Sequence, residues 1–308
     1  MISPLTIRAP GRVNLLGEHV DYNGGAVLPV AIDRSVRLEV KPRSDQLVYL
    51  HAADLKQSVA LDLERLTAKR DANGQPLPGW AHYPAGVAWS LQGAGLMVSG
   101  MEASYTSNVP IGAGLSSSAA VEMAFATAWK ALGGWDIPMI ELIKLAQQAE
   151  RHYVGANVGI MDQFASAMGV AGHALYFDTR SLEWEAIPLP ADSAIIIADS
   201  GVHHSHAQSG YNSRRADTER AVELLRPFLP GIQVLRDVSP ADFERFAEVL
   251  PEPVRRHARH VVEEIARVEE AVVYLKQGNA EAFGRLMYTG HASMRDLFEA
   301  SAPEVDQL

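Results

Sequence analysis

Two segments of this chain crowd together residue types that can do chemistry. Pro110-Ile111-Gly112-Ala113-Gly114-Leu115-Ser116-Ser117-Ser118-Ala119-Ala120 places small residues and three hydroxyls directly ahead of an apolar helical stretch, Val121 to Leu132. Glycines let backbone approach a ligand closely and turn N–H groups inward, and the following helix N-terminus adds a partial positive charge. Such a loop can cradle phosphates; it can also be a helix start made small only for tight packing. No Gly-Lys-Ser/Thr follows, so it is not a Walker A loop. Ser117 stands where the third glycine of G-x-G-x-x-G belongs, so it is not a dinucleotide fingerprint. The second segment, Gly11 to Gly25, sets Arg12, Asn14, Glu18, His19, Asp21 and Asn23 among four glycines. Carboxylate and imidazole groups in alternation suit a polyhydroxylated ligand such as a sugar. A polar, solvated turn around Asn23-Gly24-Gly25 would have the same composition.

A third stretch runs from Ile137 to Gln163. Ile143, Ala146 and Glu150 lie at i, i+3 and i+7, which puts Glu150 on the apolar face of a helix starting near Pro138. A carboxylate there needs a cation or metal ion as partner, unless it snorkels to water at the helix end. Asp162, between apolar neighbours in Val158-Gly159-Ile160-Met161-Asp162-Gln163, reads as a desolvated general base or as a helix cap. His203-His204-Ser205-His206 could bind a metal, but no carboxylate stands at convincing spacing, and a polar loop leading into Tyr211-Asn212-Ser213-Arg214-Arg215 fits better.

These groups need elements to hold them. Residues 5–60 read as short strands and turns, with Val36–Val40 alternating as a half-buried strand. The stretch RDANGQPLPG, residues 70–79, reads as a surface loop. From Ser116 onward helices alternate with strands, and Ile195–Ala198 reads as a fully buried strand. Val254, Ala258, Val261, Ile265, Val268, Val272 and Leu275 predict one long helix, Val254 to Lys276, stopped by Gly278 and serving as scaffold. The pattern is α+β.

At 308 residues the chain is long enough for two domains, and 47% hydrophobic content supplies their cores. A net charge of −10 has the wrong sign for a nucleic-acid backbone binder or a polybasic membrane anchor. With no cysteine, disulfides, thiolate nucleophiles and iron–sulfur clusters are excluded, and a reducing cytoplasm is the expected compartment. No apolar run approaches the 18 residues or so that span a bilayer.

Taken together, GRVNLLGEHVDYNGG, VPIGAGLSSSAA, VGIMDQF, SGYNSRR and HASMRDLFEASAPEVDQL resemble, in order, segments of galactokinases, members of the GHMP family of small-molecule kinases. The resemblance covers essentially the whole chain. It implies a two-domain α+β fold, with residues 1–178 an N-terminal mixed β/α domain and residues 179–308 a ferredoxin-like C-terminal domain, and with nucleotide and sugar meeting in the cleft between them. It implies that the chain transfers the γ-phosphate of ATP to the C1 hydroxyl of galactose, as a monomer whose partners are ATP and the sugar. Glu18, His19 and Asp21 would bind sugar hydroxyls, with Gly159 and Tyr211 completing the pocket. The loop Gly112, Ala113, Gly114, Leu115, Ser116, Ser117 and Ser118 would hold the ATP phosphates, and Ser118 and Glu150 would hold Mg²⁺. Asp162 would take the C1 hydroxyl proton, while Arg12 stabilises the aspartate charge and the transferring group.

The departures bear on that expectation. Val158 stands where cysteine is common in the family and Val20 where threonine is common. The family pattern also carries a further stretch before Gly11 and, several tens of residues after this sequence's last motif, a third glycine-rich segment (GxGFGG-like). The 308 residues do not contain that segment, so the expected C-terminal domain is truncated. Two alternatives stand beside galactose phosphorylation: an N-acetylgalactosamine or other sugar-1-kinase, and a non-catalytic galactose or ATP sensor on the same scaffold. Mevalonate and homoserine kinases share the phosphate loop but not GEHVDYNGG.

Overall fold

The computed structural model describes residues 5–201 and 207–308. The chain forms two compact units, and both are discontinuous in sequence. The first holds Met1–Arg12 and Ala31–Gly169; the second holds Val13–Val30 and Val170–Leu308. The expected division at 178/179 is continuous, so it differs from the observed one. Val13–Val30 leaves the first unit because Leu15, Leu16, Ala26, Leu28 and Val30 are buried in one cluster with Val268, Ala271, Val272 and Leu275.

The first unit is built on a five-stranded sheet. In chain order its strands are β1 (Leu5–Asn14), β3 (Pro29–Pro42), β4 (Leu47–Ala52), β5 (Gln57–Asp62) and β6 (Met101–Ser107), arranged β1-β3-β6-β4-β5. The β3–β6 and β4–β5 pairs are antiparallel, while β4 and β6 are parallel. Period-2 alternation decides which face is buried: Val36, Leu38 and Val40 on β3, with Met101, Ala103 and Tyr105 on β6, point to the core. Its helices are α1 (His82–Gly93), α2 (Ser117–Gly133), α3 (Met139–Gln148) and α4 (Met161–Met168). Phe125 of α2 meets Tyr105 of β6 edge-on, with ring centroids 5.8 Å apart, which joins helix layer to sheet. Residues 70–79 form the expected irregular loop, closed by an isolated bridge between Arg70 and Pro76 and by the Asp71 carboxylate, which accepts from the N–H groups of Asn73 and Gln75.

The second unit has a three-stranded antiparallel sheet, β2-β7-β8, made of β2 (Ala26–Val27), β7 (His173–Asp178) and β8 (Trp184–Pro188). Helices α5 (Ala207–Leu225), α6 (Pro240–Phe246), α7 (Val254–Lys276), α8 (Ala280–Asp296) and α9 (Pro303–Asp306) complete it. The long helix α7 has the bounds its periodicity predicts. The strand expected at Ile195–Ala198 does not form: these residues are irregular and exposed, with Ile196 88% accessible. An apolar run becomes a strand only when a neighbour completes its ladder, and among the described residues it has none. The segment His203-His204-Ser205-His206 lies outside the described residues.

Candidate active site

In the first unit, Arg12 and Asp162, 150 residues apart, form a fork-to-fork ion pair. Arg12 Nε and Nη2 each donate to Asp162 at 2.8 Å, and Nη1 donates to the carbonyl of Gly114 at 2.6 Å. Two parallel charge-assisted bonds fix orientation as well as distance. The hydroxyl of Ser116 donates to the same carboxylate at 2.6 Å, so the small-residue loop and the aspartate form one assembly. That bond explains a local departure from helix grammar. Ser116 stands at the N-cap of α2, yet its side chain does not cap the helix, and its backbone is left-handed at φ 55°. Strain of this kind persists only where its surroundings over-determine it, and functional sites are where it gathers. Gly11 on β1 makes the approach possible, since a Cβ there would meet the carbonyl oxygen of Leu115 at 2.6 Å. Gly112 and Gly114 are exposed, Ala113 is half-buried and Leu115 is buried, which leaves the loop backbone open to a ligand.

Behind the loop lies a second carboxylate system. Glu150 sits in a short widened helical turn, Ala149–Val154, that continues α3, and it is buried on the apolar face as its spacing predicts. It does not snorkel. Its carboxylate accepts from Gln163 Nε2 at 2.7 Å, and the nearby Ser118 hydroxyl favours its charged form. The same Gln163 nitrogen donates to Glu122 at 2.9 Å. Burial, followed by the charge of Asp162, pushes Glu150 up to about 7. Burial and then the neighbouring Glu150 push Glu122 well above the ordinary carboxylate range. Glu122 and Gln163 are absent from the sequence expectation. On an alanine-rich helix and beside a catalytic candidate, neither stands out until the fold turns them toward one another.

A cavity of about 190 Å³ opens beside Ser117 and Ser118 and is walled by Leu55, Trp80, Tyr105, Ile111 and Val121. It has the aromatic, largely apolar lining of a slot for a flat heterocycle. A broader depression of about 830 Å³ crosses the solvent face of the sheet around Arg43, Tyr49 and Glu102, but touches none of the loop residues. The sequence gives no hint of the smaller slot, because its wall is gathered from five separate segments.

Glu18, His19, Asp21 and Tyr211 lie in the second unit, whereas Gly159, half-buried just ahead of α4, lies in the first. His19 is left-handed at φ 62°, its Nδ1 lies 2.9 Å from the Tyr22 hydroxyl, and Asn23 donates to its carbonyl at 3.0 Å. Tyr211 of α5 packs on His19 and Tyr22, with ring centroids 5.2 and 5.6 Å away. Burial lowers the His19 imidazole to about 3, so it is neutral at pH 7. Glu18 accepts from Asn14 Nδ2 at 3.1 Å.

Two family models match the chain: the galactokinase galactose-binding signature over residues 2–42 and the GHMP kinases N-terminal domain over residues 82–170. A galactokinase of Roseiflexus sp. is 43% identical over 302 residues, covering 98% of this chain and 75% of its own. One from Streptomyces coelicolor is 44% identical, covering 97% and 76%. The chain belongs to the galactokinase family. Among solved structures, a Lactococcus lactis galactokinase complexed with galactose superposes with a TM-score of 0.93 at 32% identity, covering 99% of this chain and 78% of its own. The mevalonate kinase of Methanococcus jannaschii, at 18% identity and TM-score 0.60, shares the fold alone. This galactokinase-family chain is thus a GHMP kinase, an ATP-dependent phosphotransferase by class. Among its described residues, no helix is long and apolar enough to cross a membrane.

Proposed function

We propose that the chain phosphorylates galactose at its C1 hydroxyl with ATP, giving galactose 1-phosphate and ADP. The observation that carries this reading is the Arg12–Asp162–Ser116 assembly, in which a fixed carboxylate and a fixed guanidinium meet at the phosphate loop. Phosphoryl transfer asks a protein mainly for positioning and charge neutralisation. On this reading, loop residues Gly112–Ser118 hold the ATP phosphates and the Trp80–Tyr105 slot holds the base. Asp162 accepts the proton as the sugar oxygen attacks phosphorus, and Arg12 both orients Asp162 and faces the transferring group. Glu18, His19, Asp21 and Tyr211, with Gly159, recognise the hydroxyls. A neutral His19 can donate through one ring nitrogen and accept through the other, which suits a sugar.

Mg²⁺ fits the donors present. Ser118 and Glu150 offer a hydroxyl and a carboxylate, both hard oxygen ligands. Among the described residues no cluster of three or more histidines or carboxylates forms a complete protein cage. Mg²⁺ typically takes one or two protein oxygens and completes its shell with phosphates and water. When bound, it neutralises developing charge on the phosphate oxygens. The compartment implied is the cytosol, the site of ATP-linked sugar metabolism.

The test is ADP release from MgATP with galactose, glucose and N-acetylgalactosamine in parallel. Galactose-dependent release is expected, and release with N-acetylgalactosamine alone would move the specificity to that sugar. Asp162→Ala should keep sugar and nucleotide binding while losing about 10²–10⁴-fold in kcat. A variant with near-wild-type kcat removes Asp162 from the role of base.

A further inference from the structure

The segment Gly17–Asp21 carries three groups of the proposed sugar site but has no strand or helix of its own until Asp21. Its backbone N–H and C=O groups must find partners elsewhere, and its conformation needs an outside hold. Gly17, at φ 98°, allows the chain to pass over Val27, whose Cα would lie 2.9 Å from any Cβ at that position. His19 follows in a left-handed conformation that a side chain disfavours.

The hold comes from α7. Its Glu264, 1% exposed, accepts the N–H of Gly17 at 2.7 Å and that of Glu18 at 3.4 Å through one carboxylate oxygen. The other oxygen pairs with the guanidinium of Arg267, itself 7% exposed. One turn earlier, His260 is fully buried, with Nε2 3.2 Å from the carbonyl of Glu18 and Nδ1 2.8 Å from the Ser293 hydroxyl of α8. Burial lowers this imidazole to about 4, so it is neutral at pH 7. A carbonyl can only accept, which makes Nε2 the protonated nitrogen and Nδ1 the acceptor of the Ser293 proton. Both faces of the Glu18 residue are therefore held by side chains spaced i, i+4 on one helix. A buried carboxylate, arginine and histidine are costly to place in a core, and a core needing only volume would carry aliphatic residues there.

We infer that Glu264 and His260 are positioning residues for sugar recognition, fixing the main chain of Gly17–His19 so that Glu18, His19 and Asp21 present their side chains in one geometry. This deepens the galactose-kinase reading and rests on it. Glu264 must accept on two sides at once, from the loop amides and from Arg267. Glutamine has the same shape but accepts on one side only, so Glu264→Gln breaks one of the two contacts. His260→Phe keeps a ring and loses the donor. His260→Gln returns an N–H near the position of Nε2.

The experiment compares wild type with these three variants in steady-state kinetics and in amide exchange of Gly17 and Glu18. Glu264→Gln and His260→Phe are expected to raise KM for galactose tenfold or more, leave KM for ATP within twofold, and speed exchange of both amides. His260→Gln is expected to restore most of the galactose KM. An unchanged galactose KM in folded Glu264→Gln and His260→Phe overturns the inference, as does an equal loss toward ATP and galactose. If a variant does not fold, the wild type decides: Gly17 and Glu18 amides that exchange as fast as an open loop refute the clamp, and slow exchange upholds it. Absent galactose turnover in the wild type would remove the kinase reading, while exchange still judges the clamp separately.

Discussion

The residues that matter most have surroundings that set their charge. Glu150 is held near 7 by burial and by Asp162, and on the proposed reading Mg²⁺ is the charge that would return it to its ionised form. Glu150→Ala should therefore raise the Mg²⁺ concentration for half-maximal activity by roughly 10–100-fold. An unchanged Mg²⁺ titration would take Glu150 out of the metal site. His260 gives a prediction of opposite electrostatic sense. Its folded-state value, about 4, lies below the unfolded value of 6.5, so between those values the unfolded chain binds more protons. Stability from this group is present above pH 6.5 and is lost as pH falls toward 4. Urea midpoints across pH 4–7 should show a slope shallower by up to about one proton in His260→Gln than in wild type. The comparison isolates the histidine, because Glu122 and Glu150, both raised, push stability the other way with pH in either protein.

At the scale of elements, the proposed phosphate loop is shaped as much by β1 as by its own sequence. Gly11→Ala would drive a methyl group into the Leu115 carbonyl at 2.6 Å and against Val109 at 3.0 Å. The expected cost is about 1–3 kcal/mol of stability, with the loop displaced. KM for ATP should rise while KM for galactose changes little. Equal changes in both would mean that the strand moves as a whole. Element reading from sequence succeeds where one segment carries its own signal. Helix α7 has an uninterrupted apolar stripe, and residues 70–79 have turn chemistry, so both are legible. Ile195–Ala198 is not, because four apolar residues specify a wish for burial and not a partner. Reading α7 as scaffold also falls short: Glu264 and His260 lie beside the stripe and look like surface positions until the loop from residues 17–21 is laid over them.

For the molecule as a whole, the chain passes from one unit to the other at 12/13, 30/31 and 169/170. Val13–Val30 gives the second unit strand β2 and five residues of the buried cluster that includes Val268, Ala271, Val272 and Leu275. A fragment of residues 170–308 should consequently show no cooperative thermal transition, despite containing every α-helix described for that unit. A sharp calorimetric peak from the fragment would show that the inserted segment is dispensable.

By itself the sequence determined the chemistry on offer: a glycine- and serine-rich helix start, a carboxylate on an apolar face, an aspartate among apolar neighbours and a sugar-suited polar loop. Each is a local pattern, carried by residues within about one helical turn or one loop of each other. Tertiary structure decided the rest. It alone joined Arg12 to Asp162 across 150 residues, bridged Glu122 to Glu150 through Gln163, and assembled the Trp80–Tyr105 slot. It alone set Glu264 and His260 behind the loop at 17–21. Hydrogen bonds and burial act through space, over a few ångströms, and the sequence records neither which distant residue will arrive there nor what water it will displace.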